Sequence, residues 1–204
     1  MKSNNYFTLC VLLFVNSFGF AQKESPTAAL QHNPVRLFTI EPSIGIHTNF
    51  GTDLLFSALV QWSPSKRFSL ASHSSYNINN ITQRDFNHIK TDYNYSLNQK
   101  FGIGTTRYCK RSAHSFFLMV GIKYTDYQET LQNPNLDKVS VAISSLNPDY
   151  GLMYSMKRGW KKYFFTYRMY LPLYPWPVKS TDINYTDGNM NNIALELGVG
   201  IKIK

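Results

Sequence analysis

From Leu37 onward the chain alternates: large apolar residues fall on every second position, and small, polar or charged residues fall between them. The pattern is cleanest from Ile193 to Lys204. There Ile193, Leu195, Leu197, Val199, Ile201 and Ile203 stand on odd positions, against Glu196, Lys202 and Lys204 among glycines. Successive side chains of a strand point to opposite faces, so this is a strand with one apolar and one polar face. The same period recurs in Leu37 to His47 (Phe38, Ile40, Ile44 and Ile46 in phase) and in Asp53 to Trp62 (Leu54, Phe56, Ala58, Val60 and Trp62). It returns in Arg67 to Ile78, Tyr93 to Tyr108, Ser115 to Tyr127 and Tyr163 to Leu173. One further segment changes phase: Val139, Val141 and Ile143 alternate on odd positions, whereas Tyr150, Leu152, Tyr154 and Met156 alternate on even ones. A change of phase needs an extra residue, which predicts a bulge or kink near Pro148.

These eight segments are joined by connections that alternate in length. Ser63 to Lys66, Lys110 to His114 and Lys157 to Lys162 are short. Asn79 to Asp92, Gln128 to Lys138 and Pro175 to Asn192 are long and polar, and the brief Thr48 to Thr52 falls on their side. No run at helical spacing and no solenoid repeat interrupts the pattern. The expectation is an all-β chain, an eight-stranded antiparallel up-and-down transmembrane β-barrel with short periplasmic turns and longer external loops.

The start of the chain supplies an address. Met1-Lys2 opens a weakly basic region, Phe7 to Val15 is apolar, and Gly19-Phe20-Ala21 offers small residues for a signal peptidase. The expected organisation is a signal peptide over 1–21, an N-terminal periplasmic segment over 22–36 and the barrel over 37–204. Cys10 is not read as a lipoprotein cysteine, since Leu9 precedes it where a small residue is wanted. The apolar stretch is too short to span a bilayer as a helix, and no later stretch approaches the ~18 apolar residues needed. About 180 residues would then remain, enough for one domain with an interior. Cys109 would be their single thiol, which leaves stability to packing and backbone pairing rather than to a disulfide.

Charge is polarised. The formal net charge is +9, and cations gather at the inferred periplasmic rim: Lys66, Arg67, Lys110, Arg111, Lys157, Arg158, Lys161 and Lys162, with Arg36 and Lys204. Acids such as Asp53, Asp85, Asp92, Asp126 and Glu129 lie toward the other end. Cations at the phosphate level of an anionic leaflet gain on the order of 1 kcal/mol each, so the basic balance points to outer-membrane lipids as partners and not to nucleic acid. Aromatics cluster near both rims, with Trp62, Phe68, Tyr108, Phe116, Trp160 and Tyr163 at one and Tyr76, Tyr93, Tyr95, Tyr124 and Tyr127 at the other, as interfacial girdles do.

Polar positions inside the expected barrel carry Glu41, Lys100, Lys123, Arg168 and Glu196. An eight-stranded barrel is only wide enough for its own side chains, and buried charges must be paired. These five are therefore expected to form an ion network that fills the lumen. His73-Ser74-Ser75, with Asp85 in the next connection, is a weak candidate for a Ser/His/acid catalytic group. His47, His88 and His114 lack metal-ligand spacing, and no metal or cofactor is expected.

The leader ending in Phe20-Ala21-Gln22, the eight alternating segments and the glycine-rich final strand resemble the small outer-membrane β-barrel proteins common in Bacteroidetes-type bacteria, and architecturally the OmpA and OmpX transmembrane barrels. The resemblance covers nearly the whole mature chain and departs at Lys204, where many such barrels end in an aromatic residue. It implies an integral protein of the cell outer membrane with a filled lumen, acting as a structural, surface-interaction or accessory subunit rather than a pore, with envelope or secretion-complex proteins as further partners. Two alternatives stand beside it. His73-Ser74-Ser75 is similar to the His-x-Ser arrangement of lipid A deacylase barrels, although alternation turns His73 and Ser75 toward the lumen. A soluble exported barrel of lipocalin type would require an apolar interior and a polar exterior.

Overall fold

Nine strands form in the computed structural model, which describes residues 37–48, 52–65, 68–78, 85–86, 89–109, 111–131, 139–159, 162–173 and 193–203. They are β1 Leu37–Thr48, β2 Thr52–Ser63, β3 Ser69–Ile78, β4 Asp85–Phe86, β5 Ile89–Tyr108, β6 Ser112–Leu131, β7 Val139–Arg158, β8 Tyr163–Pro172 and β9 Ala194–Ile203. The expected leader, the 22–36 segment, His88, Trp160, and Arg36, Lys66, Arg67, Lys110, Lys161 and Lys204 of the basic rim lie outside the described residues. Every pairing is antiparallel. The order runs β3-β2-β1-β9-β8-β7-β6-β5-β4, and a further pairing of β3 with β5 closes the ring. β4 flanks β5 through Asp85↔Lys90 and Phe86↔Ile89 and stands outside the ring, so the barrel has eight strands.

Alternation decides what each face meets. Along β9, Ala194, Glu196 and Gly200 are buried while Leu197, Val199, Ile201 and Ile203 are exposed. Along β8, Phe164, Thr166, Arg168 and Tyr170 are buried while Tyr163, Phe165 and Leu171 are exposed. Exposure reaches 74 % at Phe165 and 65 % at Leu197, and it extends around the barrel through Ile44, Phe101, Ile103, Val120 and Ile122. An apolar surface of this extent is untenable in water and suits a bilayer. It also opposes the lipocalin-type alternative, because the polar side chains are the ones inside. Trp62, Phe68 and Tyr163 are exposed at one rim, and Tyr76 is exposed at the other with its ring 6.0 Å from that of Tyr95.

Strand length divides the barrel into two levels. β3, β8 and β9 have 10 residues each, the ~9–11 that span a hydrocarbon core when tilted. β5, β6 and β7 have 20 each. β3 reaches β5 only over Tyr95 to Gly104, and β8 reaches β7 only over Gly151 to Arg158. The β5–β6–β7 pairing continues to Ile89↔Leu131 and Leu131↔Val139, so a three-stranded ribbon stands beyond the ring.

The predicted bulge near Pro148 is not there. β6 and β7 pair in one unbroken register from Ser112↔Arg158 through Ile122↔Pro148 to Leu131↔Val139. Even positions of β7 face outward from Ala142 to Arg158. The apparent phase change arises because residues 139–148 lie where β7 has left β8, so alternation there no longer reports lipid against lumen. Pro148 is tolerated for the same reason. The Leu173 N–H donates to the Tyr150 carbonyl at 3.1 Å, so even positions of β7 turn their backbone groups toward β8, and among the described residues no strand pairs with that side at 148. The register irregularity falls on β5 instead, between Thr91 and Tyr93.

Two glycines are required by geometry. Gly159 takes φ 114° in the β7–β8 turn, a conformation open to glycine, and its N–H donates to the Arg111 carbonyl at 3.0 Å. Gly200 lies under the Phe164 ring, where a Cβ would stand 2.2 Å from the ring carbons.

Candidate functional site: a filled and ion-paired lumen

Part of the lumen is filled by apolar side chains. Leu59 of β2, Phe117 and Met119 of β6 and Met153 of β7 are at most 1 % exposed, and with Leu55, Ala71, Tyr170 and Ala194 they form one buried cluster. Around this plug, charged side chains are arranged by register.

Toward the rim that carries the β7–β8 turn, Lys157 of β7 is fully buried and its Nζ bonds to Glu41 Oε1 and, at 3.0 Å, to Thr39 Oγ1. Thr39 donates to the same carboxylate at 2.7 Å and Thr166 donates to its second oxygen at 3.1 Å. Arg168 and Glu196 are direct cross-strand partners on β8 and β9, with Nη2 to Oε2 at 3.1 Å. Arg168 Nη2 also reaches Ser43 Oγ and donates to the Glu41 carbonyl at 3.1 Å. Glu196 Oε2 accepts from Ser43 at 2.9 Å and Ser57 at 2.6 Å, while Oε1 lies 3.1 Å from His73 Nε2. Gly45 stands opposite Glu196, and a Cβ there would come within 2.9 Å of Glu196 Cγ.

A third pair spans a gap left by another glycine. Lys100, Gly121 and Asp149 lie in one row across β5, β6 and β7. Without a side chain between them, Lys100 Nζ reaches Asp149 Oδ2 at 2.9 Å. Tyr170 donates to Asp149 Oδ1 at 2.6 Å, and the Lys100 ammonium lies 3.9 Å from the centre of the Tyr170 ring. Nearer the same rim a neutral cluster on β2, β3, β5 and β6 continues the filling. Gln61 Nε2 donates to Ser63 at 3.0 Å and Thr106 at 2.9 Å, and Ser69 and Ser115 each bond to Thr106, at 2.8 and 2.9 Å.

The five expected lumen residues, Glu41, Lys100, Lys123, Arg168 and Glu196, are all buried. Arg168 joins Glu196 by an ion pair and meets Glu41 through its backbone carbonyl; the carboxylate of Glu41 belongs to Lys157. Lys123 lies inward between Asn98 and Asn147. The placement of Lys157 on the basic rim is corrected: β7 runs two residues further than the alternation of its large residues shows, and position 157 shares inward parity with Asp149, Met153 and Ser155. Arg111, Arg158 and Lys162 are exposed at that rim. Asp149 and Tyr170 carried no individual signal in the sequence, although parity with Arg168 marks Tyr170 as inward.

The residues of the Ser/His/acid candidate have other neighbours. His73 is buried against Glu196, Ser75 is buried two residues further along β3 opposite Ser57 and Asn98, and Asp85 pairs through its backbone with Lys90 on β5. The side chain of Asp85 lies outside the described residues. His114 faces outward, bonding Tyr154 Oη at 2.8 Å and Ser112 Oγ at 3.1 Å. Among the described residues no group of three or more His, Cys, Asp or Glu is placed to hold a metal ion.

A closed ring of eight antiparallel strands with an apolar exterior and an ion-paired interior defines the class, an outer-membrane type of β-barrel. Comparison with solved structures finds likenesses at low identity. A major outer membrane protein from Thermus thermophilus is similar over 83 % of this chain and 100 % of its own, at 11 % identity and a TM-score of 0.54. The N-terminal β-barrel domain of Pseudomonas aeruginosa OprF is similar over 82 % of this chain and 97 % of its own, at 10 % identity and a TM-score of 0.48. Neisserial surface protein A covers 85 % of this chain and 99 % of its own, at 8 % identity and a TM-score of 0.47. No protein-family model and no curated protein sequence matches the chain.

Proposed function

We propose that the chain is an integral outer-membrane protein with a filled lumen, serving as a structural, surface-interaction or accessory subunit of the envelope and not as a diffusion pore or an enzyme. One observation carries this reading: Leu59, Phe117, Met119 and Met153 meet inside the ring with at most 1 % exposure, and the buried ion pairs Lys157–Glu41, Arg168–Glu196 and Lys100–Asp149 lie beside them. A solute path would need both to give way. The ribbon of β5, β6 and β7 beyond the ring supplies a folded platform for contact outside the membrane, and Arg111, Arg158 and Lys162 suit lipid phosphates on the other side.

Two measurements test it. Planar-bilayer recordings of the purified protein are expected to show no steady conductance, and a steady open current would overturn the filled-lumen reading. Lipid A from cells expressing the protein is expected to keep its acyl pattern, and loss of an acyl chain would favour the deacylase alternative.

A further inference from the structure

The rim from which the β5–β6–β7 ribbon rises carries a carboxylate on its outer wall. Register places Ile78, Tyr95, Asp126 and Ser144 in one outward-facing row across β3, β5, β6 and β7. Tyr95 Oη donates to Asp126 Oδ2 at 2.9 Å, Ser144 Oγ donates to Oδ1 at 3.1 Å, and Tyr124 Oη stands 3.4 Å from Oδ2. All three donors are neutral. A carboxylate offers about four acceptor sites, so one on Oδ1 stays open, and among the described residues no Lys, Arg or His pairs with the half-buried Asp126. The lumen carboxylates Glu41, Asp149 and Glu196, by contrast, each hold a cation. The next row toward mid-wall, Phe56, Tyr76, Leu97, Tyr124 and Leu146, lines an open groove of about 560 Å³ that continues over Ala58. Tyr124 belongs to both features. At the far end of the groove Ser72, Ser74 and Gln99 bond to one another and call for no ligand.

We infer that these two features together bind one aminophospholipid, its primary ammonium at Asp126 and an acyl chain in the groove, resting on the reading that the outer wall is bilayer-embedded. Charge selects the head group. What Asp126 lacks is a cation that can donate an N–H to Oδ1, and a primary ammonium is both. The neighbouring rings of Tyr76 and Tyr95, 6.0 Å apart with Tyr76 39 % exposed, offer faces that attract the same charge. A choline head group has no N–H to give the open site, and a purely anionic head group brings like charge to the carboxylate. Depth selects a lipid. Aromatic rows of this kind sit at the head-group level, so the ammonium meets Asp126 there while the tail attached to it enters the apolar groove one row deeper.

The test reconstitutes the full chain in phosphatidylcholine vesicles containing smaller, equal amounts of phosphatidylethanolamine and phosphatidylglycerol, then identifies retained lipids by native mass spectrometry. The parent is expected to keep one phosphatidylethanolamine in preference to the other two. Asp126→Asn removes the charge but still accepts from Tyr95, and it is expected to lower that retention about tenfold with no change for phosphatidylcholine. Ala58→Phe fills the groove while leaving Asp126 in place, and it is expected to lower retention as well. A parent that keeps the three lipids alike or favours phosphatidylglycerol, or an Asp126→Asn variant that keeps phosphatidylethanolamine as well as the parent, would overturn the proposal; the last result would mean that Asp126 serves only to hold Tyr95 and Ser144. If Asp126→Asn does not fold, equal retention by Ala58→Phe and the parent overturns it instead. Failure of the parent to insert into the vesicles would break the membrane reading on which the inference rests.

Discussion

The two faces of one strand live in different solvents, and β9 shows the contrast within ten residues. Leu195, Leu197, Val199 and Ile201 face outward, where any lipid tail is an adequate neighbour. Ala194, Glu196, Gly198 and Gly200 face inward, where each meets a particular partner: Glu196 meets Arg168, His73, Ser43 and Ser57, and Gly200 meets the Phe164 ring. The outside is therefore specified by composition and the inside by identity. Substitutions of equal size should have unequal effects on the two sides.

The largest effect is expected where an inward charge loses its partner. Lys157→Met leaves the Glu41 carboxylate buried without its cation and should cost about 3–5 kcal/mol in reversible unfolding from detergent. Leucines compared across the wall sharpen the contrast. Leu59→Ala opens a cavity inside the plug and should cost about 2–5 kcal/mol, whereas Leu197→Ala leaves a space that lipid fills and should cost about 1–2 kcal/mol, the lost transfer of its methyl and methylene groups alone. Equal losses at the two leucines would break the comparison. Val199→Arg, which places a charge among the tails, should cost about 2–4 kcal/mol if it lies near the midplane. At the exposed rim, Arg158→Ala should change stability by less than about 0.5 kcal/mol.

Much of the fold was legible because a membrane barrel writes its two faces directly into the sequence. The alternation of Leu37 to His47, Asp53 to Trp62 and Ile193 to Lys204 matches β1, β2 and β9 closely. Legibility failed where the code changes meaning. Residues 139–148 of β7 stand beyond β8, so their apolar parity misled, and with it went Asp149, which looked like part of a kink and is in fact the partner of Lys100. Lys157 was misplaced because a Lys-Arg pair at a strand end reads as a turn, and only the length of β7 shows that its side chain turns inward. Parity placed Glu41, Arg168 and Glu196 inside but could not choose partners. That choice depends on register and on the gaps at Gly45 and Gly121, which a single sequence does not display.

The measurement that bears most directly on the paired lumen compares Lys157→Met with the double substitution Glu41→Gln, Lys157→Met, by detergent unfolding beside the parent. Removing both charges leaves no stranded carboxylate, so the double variant should recover much of the stability that the single variant loses. Equal destabilisation of the two would contradict the pairing of Lys157 with Glu41 and, with it, the account of the lumen as a core of paired charges.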